Sequence, residues 1–418
     1  MVLLKGCATE QSTKPTKNAL GKVFESRRRR LYPGGPYVSP VGFGSYRIGL
    51  SQGLGYPECE NALQLALKKS LNLIDTSTNY GDGQSEILIG KCLAHSISQG
   101  VCTRENIVVV SKAGYLQGSN LELARVKEMH GEPFEDVVKF GADVWYCIHP
   151  SFLIDQVERS RARLGLETID CYLLHNPEYL LKNMEVNSTP LAQAKKIFRD
   201  KIIQSFLALE ELVQQKKIAC YGVSSNTFGA PQEEYTHVSL KEILDIAHEV
   251  SPQHSLRVVQ MPMNWIEIAA GFYEIEDLGE SVISYAQKNS LGVLLNRPFN
   301  AMFHDGLIRL TRPQFSQQQI NGMKEEMRQG LSNWTQLSID LEKMAYEQLE
   351  DVPGYEDASL SQLVIATLAW FPGVSALLCG MRKESYVHDA QSALNRPALP
   401  RAREYIHGIY ENLEFHNV

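Results

Sequence analysis

No run of apolar residues approaches the ~18 to 20 that a membrane-spanning helix requires, so no membrane span is predicted. Basic charge is not in excess either: 41 Lys and Arg against 48 Asp and Glu leave a net charge of −7 over 418 residues. That balance argues against nucleic acid as the main partner. Eight cysteines, at positions 7, 59, 92, 102, 147, 171, 220 and 379, form no Cys-x-x-Cys pair and have no histidines at ligand spacing. Neither a zinc site nor a disulfide framework is indicated, and a reducing, cytoplasmic compartment is expected. The first thirty residues are basic and hold Ser and Thr, as an organelle transit segment would. Glu10 and Glu25 interrupt them and no apolar face is visible, so import is the lesser expectation. Arg27 to Arg30, beside a Pro-Gly-Gly-Pro turn, read as a solvated surface cluster.

What the chain does contain is an alternation. With 44% apolar residues it can bury a large core. Short strand-like runs recur as "VGFGSY", "LNLID", "NIVVVSK", "TIDCYLLH", "IACYGVSS", "RVVQMP", "LGVLLNRP" and "VSALLCG". Between them lie stretches of helical period: Leu63, Ala66 and Leu67 share a face, as do Leu153, Val157, Ser160 and Leu164, and Phe206, Leu209 and Val213. Further helices are predicted near 239–250, 280–289 and 359–370. Strands apolar on both sides and alternating with helices predict a parallel sheet covered by helices. An open nucleotide-binding sheet would carry Gly-x-Gly-x-x-Gly after its first strand, and "GFGSYRIG" lacks that spacing. The fold expected is therefore an α/β protein, a (β/α)8 TIM barrel with long insertions after strands three and seven. It divides as an N-terminal extension over 1–36, the barrel over 37–398 and a C-terminal helix or tail over 399–418.

In such a barrel the carboxyl ends of all strands meet at one mouth, where chemistry is placed. Asp75 ends strand two, Tyr80 lies in its loop, Lys112 ends strand three and His175 ends strand four. Each alone reads more readily as a turn former, a packing residue, a solvated cation or a core histidine. Together they suit proton exchange with an oxygen. A nearby cation stabilises a phenolate, a carboxylate keeps a crowded lysine charged, and a histidine donates a hydrogen bond to a carbonyl oxygen. Clustered His and carboxylate ligands are missing from the strand ends, so no metal is predicted and a metal-dependent hydrolase is disfavoured.

The motifs "DTSTNYG", "VVSK", "YLLHNP", "YGVSS", "VVQMPMN" and "LLCGMR" resemble, in order and position, those of aldo-keto reductases over roughly residues 37 to 395. The resemblance implies a barrel that binds a nicotinamide cofactor without a Rossmann domain, and a catalytic tetrad of Asp75, Tyr80, Lys112 and His175. It also implies cofactor contacts from Ser45 and Tyr46, from Ser224, Ser225 and Asn226, and from Gln260. Arg297 stands where the family commonly has an aromatic residue and is expected to meet the pyrophosphate, with a surface salt bridge as the alternative. Gly380, Arg382 and Lys383 correspond to the segment that grips the adenosine 2'-phosphate, which favours NADP, with NAD possible. Tyr386 and Ala390 replace the family's adenine contacts.

The insertions, from about Tyr115 to Pro150 and from about Asn300 to Asp357, follow strands and so should overhang the mouth. Their aromatics, among them Phe134, Phe140, Trp145, Tyr146, Trp334 and Tyr346, are expected mainly to build the insertions' own cores. Tyr46 and Trp265 are expected to line the substrate pocket. The function expected is hydride transfer between NADP(H) and an aldehyde, ketone or sugar, with Tyr80 exchanging the proton. The alternative is a catalytically weak barrel that senses cofactor as a regulatory or scaffold protein.

Overall fold

The computed structural model describes residues 3–16, 21–48, 56–275, 277–303, 306–313 and 315–415. Eight parallel strands close into a barrel: β1 Val41–Gly44, β2 Leu73–Asp75, β3 Val108–Ala113, β4 Cys171–His175, β5 Tyr221–Ser224, β6 Leu256–Pro262, β7 Gly292–Asn296 and β8 Ala376–Gly380. Each strand pairs with its sequence neighbour, and β8 closes onto β1 with Gly380 opposite Gly44. The helices outside are α1 Tyr56–Lys68, α2 Gln84–Ser98, α3 Pro150–Leu164, α4 Leu191–Gln214, α5 Leu240–Val250, α6 Val282–Lys288, α7 Leu360–Ala369 and α8 Glu384–Asn395. This is the (β/α)8 barrel expected from the sequence, insertions included.

Strand period decides what faces the lumen. Two apolar clusters separate the faces: Leu73, Val108, Val110, Cys171, Leu173, Cys220, Val258 and Leu294 fill the barrel. Ile74, Val109, Tyr172, Leu174, Val223, Val259 and Leu295 pack outward against the helices. One step further along the inward phase lie Asp75, Lys112, His175, Ser224, Gln260 and Asn296. Pleating thus delivers six polar side chains to one ring at the mouth. Gly222 holds the same inward phase on β5 because the approach is close: a Cβ there would stand 1.9 Å from the Val258 carbonyl oxygen.

The opposite end is closed by the N-terminal segment. A short hairpin, Arg29–Arg30 with Tyr37–Val38, puts Leu31 and Val38 into the lumen cluster together with Ala8. In the basic cluster Arg30 is exposed, as expected of a solvated patch, but Arg28 and Arg29 are turned to the backbone. Arg28 donates to the Thr13 and Ser70 carbonyls at 3.1 and 2.9 Å, and Arg29 to those of Ser375 and Ala369 at 2.7 and 2.6 Å. Guanidinium forks satisfy backbone carbonyls that the chain leaves unpaired at this floor.

The first insertion folds as a helix, Gly118–Met129, and a three-stranded antiparallel sheet of Tyr115–Leu116, Val144–Tyr146 and Val138–Phe140. Phe134, Trp145 and Tyr146 are buried in its packing. The second forms a hairpin, Asn300–Phe303 with Gly306–Arg309, and a 24-residue helix, Glu325–Gln348. That helix packs against the C-terminal helix Ala402–Phe415. Among the described residues no helix is long and apolar enough to cross a membrane, and no group of three or more side chains is arranged to hold a metal.

Candidate active site

At the mouth, Lys112 is fully buried and donates to both oxygens of Asp75, at 2.7 and 2.8 Å, and to the Thr76 carbonyl at 2.7 Å. All three ammonium hydrogens are thereby engaged. Lys112 meets Tyr80 through the ring instead, its Nζ 5.1 Å from the ring centroid. Tyr80 is 9% exposed. It is flanked edge-on by His175 at 6.0 Å and by Tyr46 at 5.2 Å between centroids. The loop carrying it turns through three left-handed residues, Gly81, Asp82 and Gly83, with φ of 55°, 55° and 80°. Asp82 then accepts from the backbone N–H and hydroxyl of Ser119, fastening this loop to the first insertion.

The electrostatics differ from the expectation that Lys112 would stabilise a phenolate. Burial, followed by Asp75 and Tyr46, pushes the Tyr80 phenol well above its ordinary value of 10.0. The ammonium's field is met by its own carboxylate, so the phenol keeps its proton and is set up as an acid. Burial, opposed by Asp75, draws Lys112 below 10.5. Burial and the neighbouring Lys112 hold His175 well below 6.5, so its imidazole is neutral.

Gln260 extends the network. Its Nε2 donates to Asp75 Oδ1 at 2.9 Å, and its Oε1 accepts from Ser224 Oγ at 3.2 Å and from Asn296 Nδ2 at 3.4 Å. Ser225 donates to Glu178 at 2.8 Å, and the Asn226 backbone N–H does so at 2.9 Å. Glu178 is a buried carboxyl that sequence reasoning missed, and burial pushes it up to about 7 against hydrogen bonds that lower it. Nothing in a Glu directly after an Asn-Pro marks it as buried.

The residues expected to hold a nicotinamide cofactor are gathered at this mouth in part. Ser224 and Gln260 face the lumen, and the Asn226 side chain is exposed beside them. Ser45 is engaged elsewhere: buried, it donates to the Asp75 carbonyl at 2.7 Å and accepts from Ser85, tying β1 to β2. Tyr46 is 59% exposed at the rim. Arg297 forms a 2.6 Å ion pair with Glu267, as its alternative reading had it, and its left-handed φ of 54° bends the chain out of β7. The Asn296 Oδ1 and the Arg297 Nε are buried without a partner, hydrogen-bonding capacity that an amide or phosphate at this rim would use. At the next exit a Cβ on Gly380 would meet nothing, and Lys383 caps α8 without a side-chain hydrogen bond, leaving that helix start open to an anion. Arg382 lies there too. Arg309, from the second insertion, is lowered from its ordinary value by burial and then by the charges of Arg47 and Arg382. The residues fit the cofactor at both ends of the site.

Trp265 does not line a pocket. It is fully buried, with its indole N–H donating to Thr367 Oγ1 at 2.8 Å, because after Met263 the chain turns it outward onto α7. Tyr115, edge-on to His175 at 4.9 Å and accepting from Asn176 at 2.7 Å, stands at the mouth in its place.

Residues 40–410 match the model of the Aldo/keto reductase family. Among curated relatives, the aldo-keto reductase YhdN of Bacillus subtilis is 25% identical over 260 residues, 62% of this chain and 57% of that protein, so the match spans less than two thirds of the relative's length. Among solved structures, a glycerol dehydrogenase from Gluconobacter oxydans aligns over 94% of this chain and 96% of its own at 22% identity and a TM-score of 0.57. An aldo/keto reductase from Klebsiella pneumoniae, solved with NADP and acetate, aligns over 91% and 94% at 16% identity and a TM-score of 0.52. These structural likenesses concern the fold, and the family match reaches from the first strand past the last. The chain is a member of the aldo/keto reductase family.

Proposed function

We propose that this protein is an NADP-preferring oxidoreductase that interconverts small carbonyl compounds, such as aldehydes, ketones or sugars, and the corresponding alcohols. The observation that carries the proposal is the Asp75 and Lys112 ion pair beneath Tyr80, with His175 edge-on to the same ring. The cofactor, when bound, supplies or takes up the hydride. Tyr80, protonated across the neutral range, gives its proton to the oxygen that becomes the alcohol. Asp75 holds Lys112 in its charged form, and Gln260, itself held by Ser224, holds Asp75. Ser224, Gln260, Asn226 and Asn296 surround the place of the nicotinamide amide. Arg382 and Lys383, with Gly380 giving room, receive the 2'-phosphate, with Arg309 and Arg47 adding positive potential. All eight cysteines are free thiols, which suits a cytoplasmic enzyme.

One observation favours a second function, a barrel that binds cofactor without turning it over: Arg297, standing where the family commonly has an aromatic residue, is paired with Glu267. The same experiment separates the two. Tyr80→Phe, assayed for NADPH consumption against a panel of aldehydes, ketones and sugars, loses turnover by at least about a hundredfold while still quenching cofactor fluorescence. Wild-type turnover in that variant refutes the role of Tyr80; binding without turnover in the wild type supports the scaffold.

A further inference from the structure

We infer that Glu178 is a positioning residue for the nicotinamide end of the cofactor: its buried carboxyl braces the turn after β5, so that Asn226 stands at the mouth beside Ser224 and Gln260. The inference rests on the cofactor-binding reading above and deepens it, since Glu178 acts through the turn and not by contact.

The brace crosses from one strand exit to the next. β4 ends in His175, Asn176 takes a left-handed φ of 57°, and Pro177 opens the helix Glu178–Val186 with Glu178 in its first turn. The Asn176 N–H donates to the Ser224 carbonyl at 2.7 Å, which sets the helix start against the end of β5. Each carboxyl oxygen then takes one donor from the following turn: Oε1 accepts from the Asn226 backbone N–H at 2.9 Å, and Oε2 from the Ser225 hydroxyl at 2.8 Å. A backbone N–H only donates, so the bond at Oε1 does not depend on how any side-chain amide is turned. The turn is held from two further sides, by the Ser225 N–H on the Gln260 carbonyl at 3.0 Å and by the Thr227 N–H on Ser225 Oγ at 3.1 Å. Ser225 is thereby fully buried, while Asn226 between them keeps an exposed side chain.

Past Ser224 the strand is finished, and the Asn226 N–H needs an acceptor from outside the ladder. Glu178 supplies it without a cation of its own: among the described residues it forms no ion pair, and Arg297, whose field lowers it, is paired with Glu267. Removing the carboxyl is expected to free residues 225–227 while β5 stays paired with β4 and β6. What changes is the place of one side chain at the mouth. Arg382 and Lys383 follow β8, three strands away around the barrel, and share none of these bonds.

The test compares two probes on the full chain: NADPH, and 2'-phospho-ADP-ribose, which has the phosphates and adenosine but no nicotinamide. Glu178→Met, of similar length and without an acceptor, should weaken NADPH by about tenfold, the effect of losing one hydrogen bond, and leave 2'-phospho-ADP-ribose unchanged. Glu178→Gln, which keeps an acceptor for Asn226, should bind NADPH within about twofold of the wild type. In an Asn226→Ala background Glu178→Met should cost nothing further, because the two act as one unit. Should Glu178→Met fail to fold, Ser225→Ala releases the other carboxyl oxygen and should give the same pattern at about threefold. Equal losses of both probes, an unchanged NADPH affinity in Glu178→Met, a Glu178→Gln as weak as Glu178→Met, or additive losses with Asn226→Ala each overturn the inference. A wild type that binds neither probe overturns the proposed function and takes the inference with it, so the wild type alone tells the two failures apart.

Discussion

At the floor of the barrel Arg104 and Asp170 form a buried ion pair with an N···O distance of 2.7 Å; at the mouth Lys112 and Asp75 form another at the same distance. Their surroundings differ. Asp170 also accepts from the Ala8 and Val109 backbone N–H groups at 2.6 and 2.8 Å, and Arg104 donates to the Ile107 and Thr168 carbonyls at 2.6 and 2.9 Å. That pair ends in backbone, stapling the N-terminal segment to the starts of β3 and β4. Apart from the Thr76 carbonyl, the mouth pair ends in side chains, with Gln260, Ser224 and Asn296 on one side and the rings of Tyr80 and His175 on the other. Buried charge alone says little about chemistry. A pair whose partners are backbone groups holds the fold, and a pair surrounded by titratable side chains facing an opening holds reactants.

The largest effects expected are on stability. Arg104→Met and Lys112→Met each strand a buried carboxylate, and each should cost about 3 to 5 kcal/mol in urea denaturation. A Lys112→Met variant as stable as the wild type would break the likeness between the pairs. Glu178 sharpens the contrast, since Arg297, the cation whose field lowers it, is tied to Glu267 and the carboxyl is hydrogen-bonded by neutral donors. Its folded value, about 7, lies above the ordinary 4.5. Its contribution is therefore complete below pH 4.5 and is lost as pH rises through about 7, a decline of about 3 kcal/mol by linkage. Glu178→Gln should flatten that part of the stability profile, and an unchanged slope would show that this carboxyl is not the group titrating. The smallest effect concerns binding: Arg382→Ala should weaken NADPH by about tenfold more than NADH, as befits one charge-assisted hydrogen bond. Equal losses would detach Arg382 from the 2'-phosphate.

Much of the mouth was legible because strand period is legible. Asp75, Lys112 and His175 each sit an even number of residues along a strand from an apolar lumen residue, and that arithmetic needs no coordinates. Direction after a strand ends is another matter. Trp265 follows β6 closely, yet a turn of the backbone sends it to Thr367. The helix Gln84–Ser98 has a weak apolar period because its buried face includes Ser85, Glu86, Gly90 and Ser96; Glu86 is matched by Ser111 and Arg163, and Gly90 lies where a Cβ would meet the Leu164 carbonyl at 2.8 Å. Polar groups satisfied by distant partners carry no periodic signal. The same holds for Arg28 and Arg29, whose partner carbonyls are contributed by other segments, and for Glu178, an ordinary residue until the chain closes around it.

The most direct test is turnover per folded molecule, measured for Arg104→Met and Lys112→Met side by side under conditions where both remain native. Arg104→Met should match the wild-type kcat, and Lys112→Met should fall by at least about a hundredfold. A Lys112→Met enzyme that turns over like the wild type, or an Arg104→Met enzyme impaired to the same degree, would contradict the assignment of chemistry to the mouth.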